Sequence, residues 1–177
     1  DVSGLIFKIQ ANMDPKHRDR VGFFRISSGK FQRGMTLKTA AGKGFNVHNP
    51  MMFMAQDREI AQEAFPGDVI GIPSHGGLRV GDSLSQSGDV VFQGIPNFAP
   101  EILKRVRVKD PLKQKHLRKA LESLGEEGVT QVFKPVFGGD LVVGAVGQLQ
   151  FEVLDERMKA EYGLDVIFET SPYQAAR

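Results

Sequence analysis

Along the first half of the chain the apolar positions come in short runs. "LIFKIQANM" (5–13) sets Leu5, Phe7, Ile9 and Ala11 against Lys8, Gln10 and Asn12, with Ile6 out of phase. A period of two is that of a strand with one buried face. "RVGFFRISSG", "MTLKTA", "FNVHN", "DVIGIP" and "DSLSQ" follow as further strand-like runs. Turn signals part them, among them Asp14-Pro15, Ser28-Gly29, Asn49-Pro50 and Pro66-Gly67. Many short strands divided by turns predict a β-barrel or sandwich over residues 1–90.

The texture changes between about residues 88 and 100, where "GIPNFAP" holds two prolines and a glycine and reads as a linker. Residues 91–177 then form a second predicted domain of α+β type. "PEILKRVRV" alternates as a strand. Asp110 and Pro111 suit a helix start. Leu117, Ala120, Leu121 and Leu124 recur at i, i+3, i+4 and i+7, one apolar face of a helix that Gly125 or Gly128 ends. "QVFKPVF", Gly138-Gly139 and "DLVVGAV" read as a hairpin with a two-residue turn. Leu154, Met158 and Tyr162, flanked by Leu149 and Val153, give a second helix stopped by Gly163, and "LDVIFE" a last strand. The order β-α-β-β-α-β is the ferredoxin-like pattern.

Gly144 and Gly147 stand where a strand meets a helix, a place where many proteins cradle a phosphate. A phosphate loop there needs a Lys and a Ser or Thr as well. "GAVGQLQ" has neither, so both glycines are read as structural, allowing close packing at the turn. No G-x-x-x-x-G-K-[ST] motif occurs anywhere in the 177 residues.

Composition narrows the chemistry further. With 41% hydrophobic and 25% charged residues the chain can bury a core without staples. It has no Cys, so disulfides, thiolate metal sites and Cys nucleophiles are excluded. His17, His48, His75 and His116 lack metal-ligand spacing, and no serine sits in a G-x-S-x-G setting. No apolar run approaches the roughly 20 residues that span a bilayer. These absences predict a non-catalytic module without cofactor or metal. The chain opens on Asp1 within a strand pattern, which predicts an excised piece of a longer protein.

Longer wording carries a resemblance. "GAVGQLQFEVLDERMKAEYGL" (144–164) pairs a Gly-x-Leu helix start with Arg157-Met158-x-x-Glu161-Tyr162 at its end. That pattern resembles the third-domain signature of translational GTPases of the elongation factor G type. "FKIQANMDPKHRDRVGFFRISSGKFQRGM", "GIPNFAPE", "KDPLKQK" and "VGAVGQLQFEV" are similar to the bacterial peptide chain release factor 3 family within that group, from about Leu5 to Arg177. The resemblance implies a translation-factor β-barrel followed by a ferredoxin-like βαββαβ domain. It implies a cytoplasmic factor that, with GTP, promotes departure of class I release factors from the ribosome after peptide release. It also implies a GTP-binding domain, holding GTP or GDP with Mg, ahead of this region, and more third-domain chain after it. The partners implied are small-subunit ribosomal RNA, ribosomal protein, that GTP-binding domain and, indirectly, class I release factors, with no membrane. The corresponding part of elongation factor G or of a ribosome-protection protein is the alternative.

The net charge of +2 is mild, so the placement of charge matters more than its sum. "NMDPKHRDR" crowds Lys16, His17, Arg18 and Arg20 against Asp14 and Asp19, and "SSGKFQRG" puts Lys30 and Arg33 on a turn. A solvated loop and a loop contacting phosphates are the two readings of such clusters. The implied barrel orientation toward the small subunit makes Lys16, His17, Arg18, Arg20, Lys30 and Arg33 the candidate ribosomal RNA contacts. Phe31 anchors the turn against the barrel or stacks on a base, the anchor being the plainer reading. "KRVRVKDPLKQKHLRK" (104–119) holds the strongest charge asymmetry, with Lys104, Arg105, Arg107, Lys109, Lys113, Lys115, Arg118 and Lys119 against one acid, Asp110. It is either a solubilising face or a second surface for an anionic partner.

Overall fold

A computed structural model describes residues 1–11, 20–54, 57–74, 76–93, 95–96 and 98–176. The chain divides into two compact units, Asp1–Ile95 and Pro96–Arg177.

In the first unit the long strands β1 (Ser3–Ala11) and β2 (Arg20–Ser28) pair antiparallel. Short strands complete it: β3 (Phe31–Gln32), β4 (Thr36–Thr39), β5 (Gly44–Asn46), β6 (Met51–Met54), β7 (Asp57–Ile60), β8 (Glu63–Ala64), β9 (Val69–Ser74) and β10 (Ser83–Ser85). Eight of them form one antiparallel sheet in the order β5-β4-β10-β1-β2-β9-β6-β7, and β3 pairs with β8 as a separate ribbon. Both sheets feed one core, which gathers Ile6, Phe24, Phe31, Leu37, Ile70 and Leu84. This is the expected curled β-barrel architecture. The strands β3, β6, β7 and β8 are not legible in the sequence, because two-residue ribbons, the unbroken apolar run "MMFM" and the charged run "DRE" of β7 show no alternation.

The register of β1 differs from the alternation read in its sequence. Ile6, read as out of phase, is the buried residue, whereas Phe7, assigned to the core face, is exposed. A β-bulge accounts for it. Ile6 pairs with Phe24 and Lys8 with Phe23, leaving Phe7 as an extra residue between them. An extra residue shifts the two-residue period by one. Gly4 and Ile6 therefore face inward before the bulge, and Ile9 after it.

The second unit runs β11 (Ile102–Val108), a 3-10 turn (Pro111–Lys113), α1 (Gln114–Glu126), β12 (Gln131–Phe133), β13 (Val142–Ala145), α2 (Gln148–Tyr162) and β14 (Val166–Thr170). The antiparallel sheet order β12-β13-β11-β14 is the ferredoxin-like arrangement. Asp110 caps the 3-10 turn, its Oδ1 accepting from the Leu112 N–H at 3.0 Å. The predicted face of α1 is fully buried, with Leu117, Ala120, Leu121 and Leu124 against Val106 and Val143 of the sheet. Each such leucine contributes about 1.5–3 kcal/mol.

Three further expectations change. The hairpin joins β12 to β13 through residues 134–141, eight rather than two, because pairing ends at Phe133 opposite Val142 and Pro135 has no N–H to continue it. On α2 the core residues are Phe151, Leu154 and Met158, while Leu149 and Val153 are exposed. Phe151 was missed because Leu149 and Val153 offered an equally apolar but differently aimed row. The two glycines also separate. A Cβ on Gly144 would lie 2.6 Å from Pro100 Cβ and 2.9 Å from the Phe133 ring, so residue 144 must be glycine for Pro100 to cross the sheet there. A Cβ on Gly147 would meet nothing within 4 Å, and its φ of −145° is extended backbone open to any residue. Gly147 is the N-cap of α2, and Gln150 Oε1 accepts from its N–H at 3.2 Å.

Arg157 of α2 ties the helices together. Its Nη1 lies 2.9 Å from Glu127 Oε2 at the end of α1, and its Nε and Nη2 donate to both oxygens of Glu161. Hydrogen bonding to Glu161 holds the guanidinium protonated far beyond its ordinary range, and burial opposes this only in part. The Glu127 side chain is 5% exposed and its second oxygen has no partner, so it depends on Arg157.

Packing at these sites generates two predictions. Gly144→Ala should lower the unfolding free energy by about 2 kcal/mol through overpacking, whereas Gly147→Ser, which supplies a capping oxygen, should raise it by a few tenths of a kcal/mol. Urea denaturation of both variants checks the pair, and equal effects would refute the assignment. Arg157→Leu should cost about 3 kcal/mol by stranding Glu127, and adding Glu127→Leu should restore much of it. A double variant no more stable than Arg157→Leu would show that the ion pair is not the cause.

Candidate nucleic-acid interface

The turn between β2 and β3 is built around Gly29. Its φ is +74°, and an added Cβ would lie 2.5 Å from the Asp1 carbonyl oxygen. Both conditions demand glycine. Phe31 is fully buried and anchors the turn from below, so it offers no ring to a base. Lys30 and Arg33 are both exposed on this rigid base.

Neither cation stands alone. Lys30 Nζ lies 2.7 Å from Glu63 Oε1 of β8 and 5.5 Å from the centre of the Phe65 ring. The Lys30 hydrogen bond holds the Glu63 carboxyl below its ordinary range. Arg33 Nε donates to the His48 carbonyl at 2.6 Å and Nη2 to Asn49 Oδ1 at 3.3 Å. Arg33 thus clasps the segment between β5 and β6 and keeps three of its five N–H donors for other contacts. Arg20 opens β2 opposite Ser74, half-buried. Lys16, His17 and Arg18 lie outside the described residues.

On the second unit the basic run splits between two sheet faces and a helix. Lys104 shares the helix-covered face with Val106, where its Nζ donates to Gln148 Oε1 at 2.9 Å and sits 4.5 Å above the Phe151 ring. Arg105 and Arg107 point to the opposite face. There Glu169 of β14 lies 3.3 Å from Arg105 and 3.8 Å from Arg107, and Asp140 accepts from Arg107 Nε at 2.7 Å. The Asp140 hydrogen bond holds Arg107 protonated above its ordinary range. Lys109 is exposed, and its backbone N–H donates to the Asp165 carbonyl. Lys113 Nζ donates to the Gly163 carbonyl at 3.1 Å, meeting the C-terminal end of α2. Lys115, Arg118 and Lys119 project from α1 on its exposed side, as expected.

The neutralising partners Glu63, Asp140 and Glu169 were missed in the sequence. Each lies 30 or more positions from its cation in the chain, so a local charge count cannot see it. Strand register, Arg105 opposite Glu169 for instance, and the course of the hairpin loop that carries Asp140 bring them together. Among the described residues, no three His, Cys, Asp or Glu side chains gather as a metal site. No described helix is long and apolar enough to cross a membrane.

The Lys30–Glu63 pair yields a pH prediction. Because the folded-state Glu63 pKa is depressed, the pair's small contribution is present above the ordinary glutamate range and lost as pH falls through the lowered value. Glu63→Gln should therefore flatten the acid limb of a stability–pH curve slightly and leave Lys30 free for an outside anion. An unchanged acid limb would contradict the pairing.

Comparison with known proteins follows the same division. Residues 1–87 match the family described as elongation factor G domain 2. Residues 92–177 match the family described as class II release factor RF3, C-terminal domain. A crystal structure of a protein from Thermus thermophilus is similar over 95% of this chain, with a TM-score of 0.74 and 26% identity. The chain spans 25% of that protein's length. Between them the two matches cover nearly the whole chain, so residues 1–87 belong to the elongation factor G domain 2 family and residues 92–177 to the class II release factor RF3 C-terminal family.

Proposed function

We propose that this chain is the ribosome-binding, non-catalytic part of a GTP-dependent termination factor, one that promotes dissociation of class I release factors after peptide release. The observation that carries the reading is the release factor RF3 C-terminal match over residues 92–177, directly after an elongation factor G type barrel. Nucleotide chemistry, with GTP or GDP and Mg, belongs in this reading to a separate domain of a longer cytoplasmic protein. Lys30 and Arg33 of the barrel turn, together with Arg20 at the far end of β2 and Lys16, His17 and Arg18, then serve as phosphate contacts on small-subunit RNA. Such contacts position a factor without reading sequence. An elongation factor role is the second reading, favoured by the family of residues 1–87.

A purified termination system tests the proposal. Ribosomes halted after peptide release and carrying a labelled class I release factor are mixed with the full-length factor and GTP. An excess of this chain should slow departure of the label by occupying the ribosome. Calorimetry should detect no GTP binding to the chain itself. Micromolar GTP affinity, or release-factor departure indifferent to the added chain, would reject the proposal, and interference with translocation instead would favour the elongation reading.

A further inference from the structure

The cations of the second unit are treated unequally. Arg105, Arg107, Arg157 and Lys159 each lie within 4 Å of a carboxylate, Lys104 is bound by Gln148 and Phe151, and Lys113 by a helix-end carbonyl. On α1, Lys115, Arg118 and Lys119 make no ion pair or hydrogen bond among the described residues. They sit at i, i+3 and i+4, so all three lie on one face within roughly 6 Å of helix rise. Glu122, a turn further on, is exposed and pairs with none of them. The first turn of α1 carries no acid, and Lys115 stands in it, at the end where the helix dipole already disfavours positive charge.

This arrangement works against the helix. Like charges at i,i+3 and i,i+4 repel, and a cation in the first turn opposes the macrodipole. Apart from the scattered Lys109 and Lys134, the other described cations of this domain are held by a carboxylate, an amide or a carbonyl, so three unpaired cations on one helix face are a local inconsistency of the kind that marks functional surfaces. We propose that the outer face of α1, through Lys115, Arg118 and Lys119, docks on the phosphate backbone of folded, double-stranded RNA. The inference rests on reading the chain as a ribosome-binding module and adds a second RNA surface, on the α+β domain.

The row itself decides the partner. The row is charged, and the single exposed apolar residue beside it, Leu112 in the preceding turn, falls short of the cluster of apolar or aromatic anchors around which protein interfaces concentrate their binding energy. The row also has no aromatic ring on which an unpaired base could stack, which disfavours single strands. Duplex RNA is bound through backbone and shape, the contact that a rigid row of cations can make.

The test compares this chain with its triple variant Lys115→Gln, Arg118→Gln, Lys119→Gln. The probes are an RNA duplex of about 20 base pairs, ribosomes and poly-glutamate, at several salt concentrations. Removing the repulsion should leave the thermal midpoint unchanged or raise it by roughly 2 °C, which guards against reading misfolding as lost binding. The variant's affinity for the duplex should fall at least about tenfold and its salt slope by roughly 2 to 3. Equal duplex binding by the two chains would overturn the inference, as would poly-glutamate displacing the duplex-binding chain more effectively than ribosomes do. A duplex interaction that depends on the row but that ribosomes fail to compete would uphold the RNA surface and count against the ribosomal reading instead. A variant with a lowered midpoint would show that the row serves folding, and would also overturn the inference.

Discussion

One-sided burial of a sheet governs this molecule. In the α+β domain both helices cover a single face of the four-stranded sheet, where Val106, Val143 and Ala145 meet Leu117, Leu121 and Phe151. The other face has no helix and must satisfy its own polar groups. Arg105 and Arg107 emerge there by the two-residue period that sends Val106 into the core. Antiparallel register brings Glu169 beside them, and the hairpin loop brings Asp140. The residues 98–100 cross the same face, where the absence of a side chain at Gly144 admits Pro100 and the Phe98 carbonyl accepts from Gln131 Nε2 at 2.6 Å.

The barrel obeys the same constraint with a twist added. Its inner positions converge on Phe24, Ile6 and Leu84, and the bulge at Phe7 turns an aromatic ring outward. That ring packs edge-on against Phe23 at 6.2 Å, and Lys8 lies 5.3 Å from the Phe23 centre. On the turn side, burial of Phe31 fixes where Lys30 and Arg33 project, while Glu63 and the His48 carbonyl restrain how they project. Exposed pairs of this sort are worth little to stability, so an outside phosphate can compete for Lys30 at small cost. Rigid anchoring with weak restraint suits a positioning contact.

Charge is therefore apportioned by the fold. On the open face of the second sheet, Arg105 and Arg107 meet Glu169 of the neighbouring strand and Asp140 of the hairpin loop. Cations on the outer side of α1 have only solvent and each other, since the helix presents its single apolar face to the sheet. The long-range ion pair of Arg157 with Glu127 shows the opposite extreme, a charge drawn in to join the ends of two helices.

The ferredoxin-like order and the buried face of α1 were legible in the amino-acid sequence. These depend on local period and on punctuation by Pro and Gly, which act over a few residues. The chain also holds no G-x-x-x-x-G-K-[ST] motif, which is visible without a structure because such a motif is contiguous. Tertiary structure decided what depends on residues far apart. The bulge in β1 inverted the apparent core face, since an unpaired residue is visible only against its partner strand. The length of the β12–β13 loop rested on where pairing stops. Gly144 and Gly147, alike in the sequence, parted because only one lies beneath Pro100. The basic residues parted for the same reason: Arg105, Arg107 and Lys30 found acids through strand pairing, and Lys115, Arg118 and Lys119 did not.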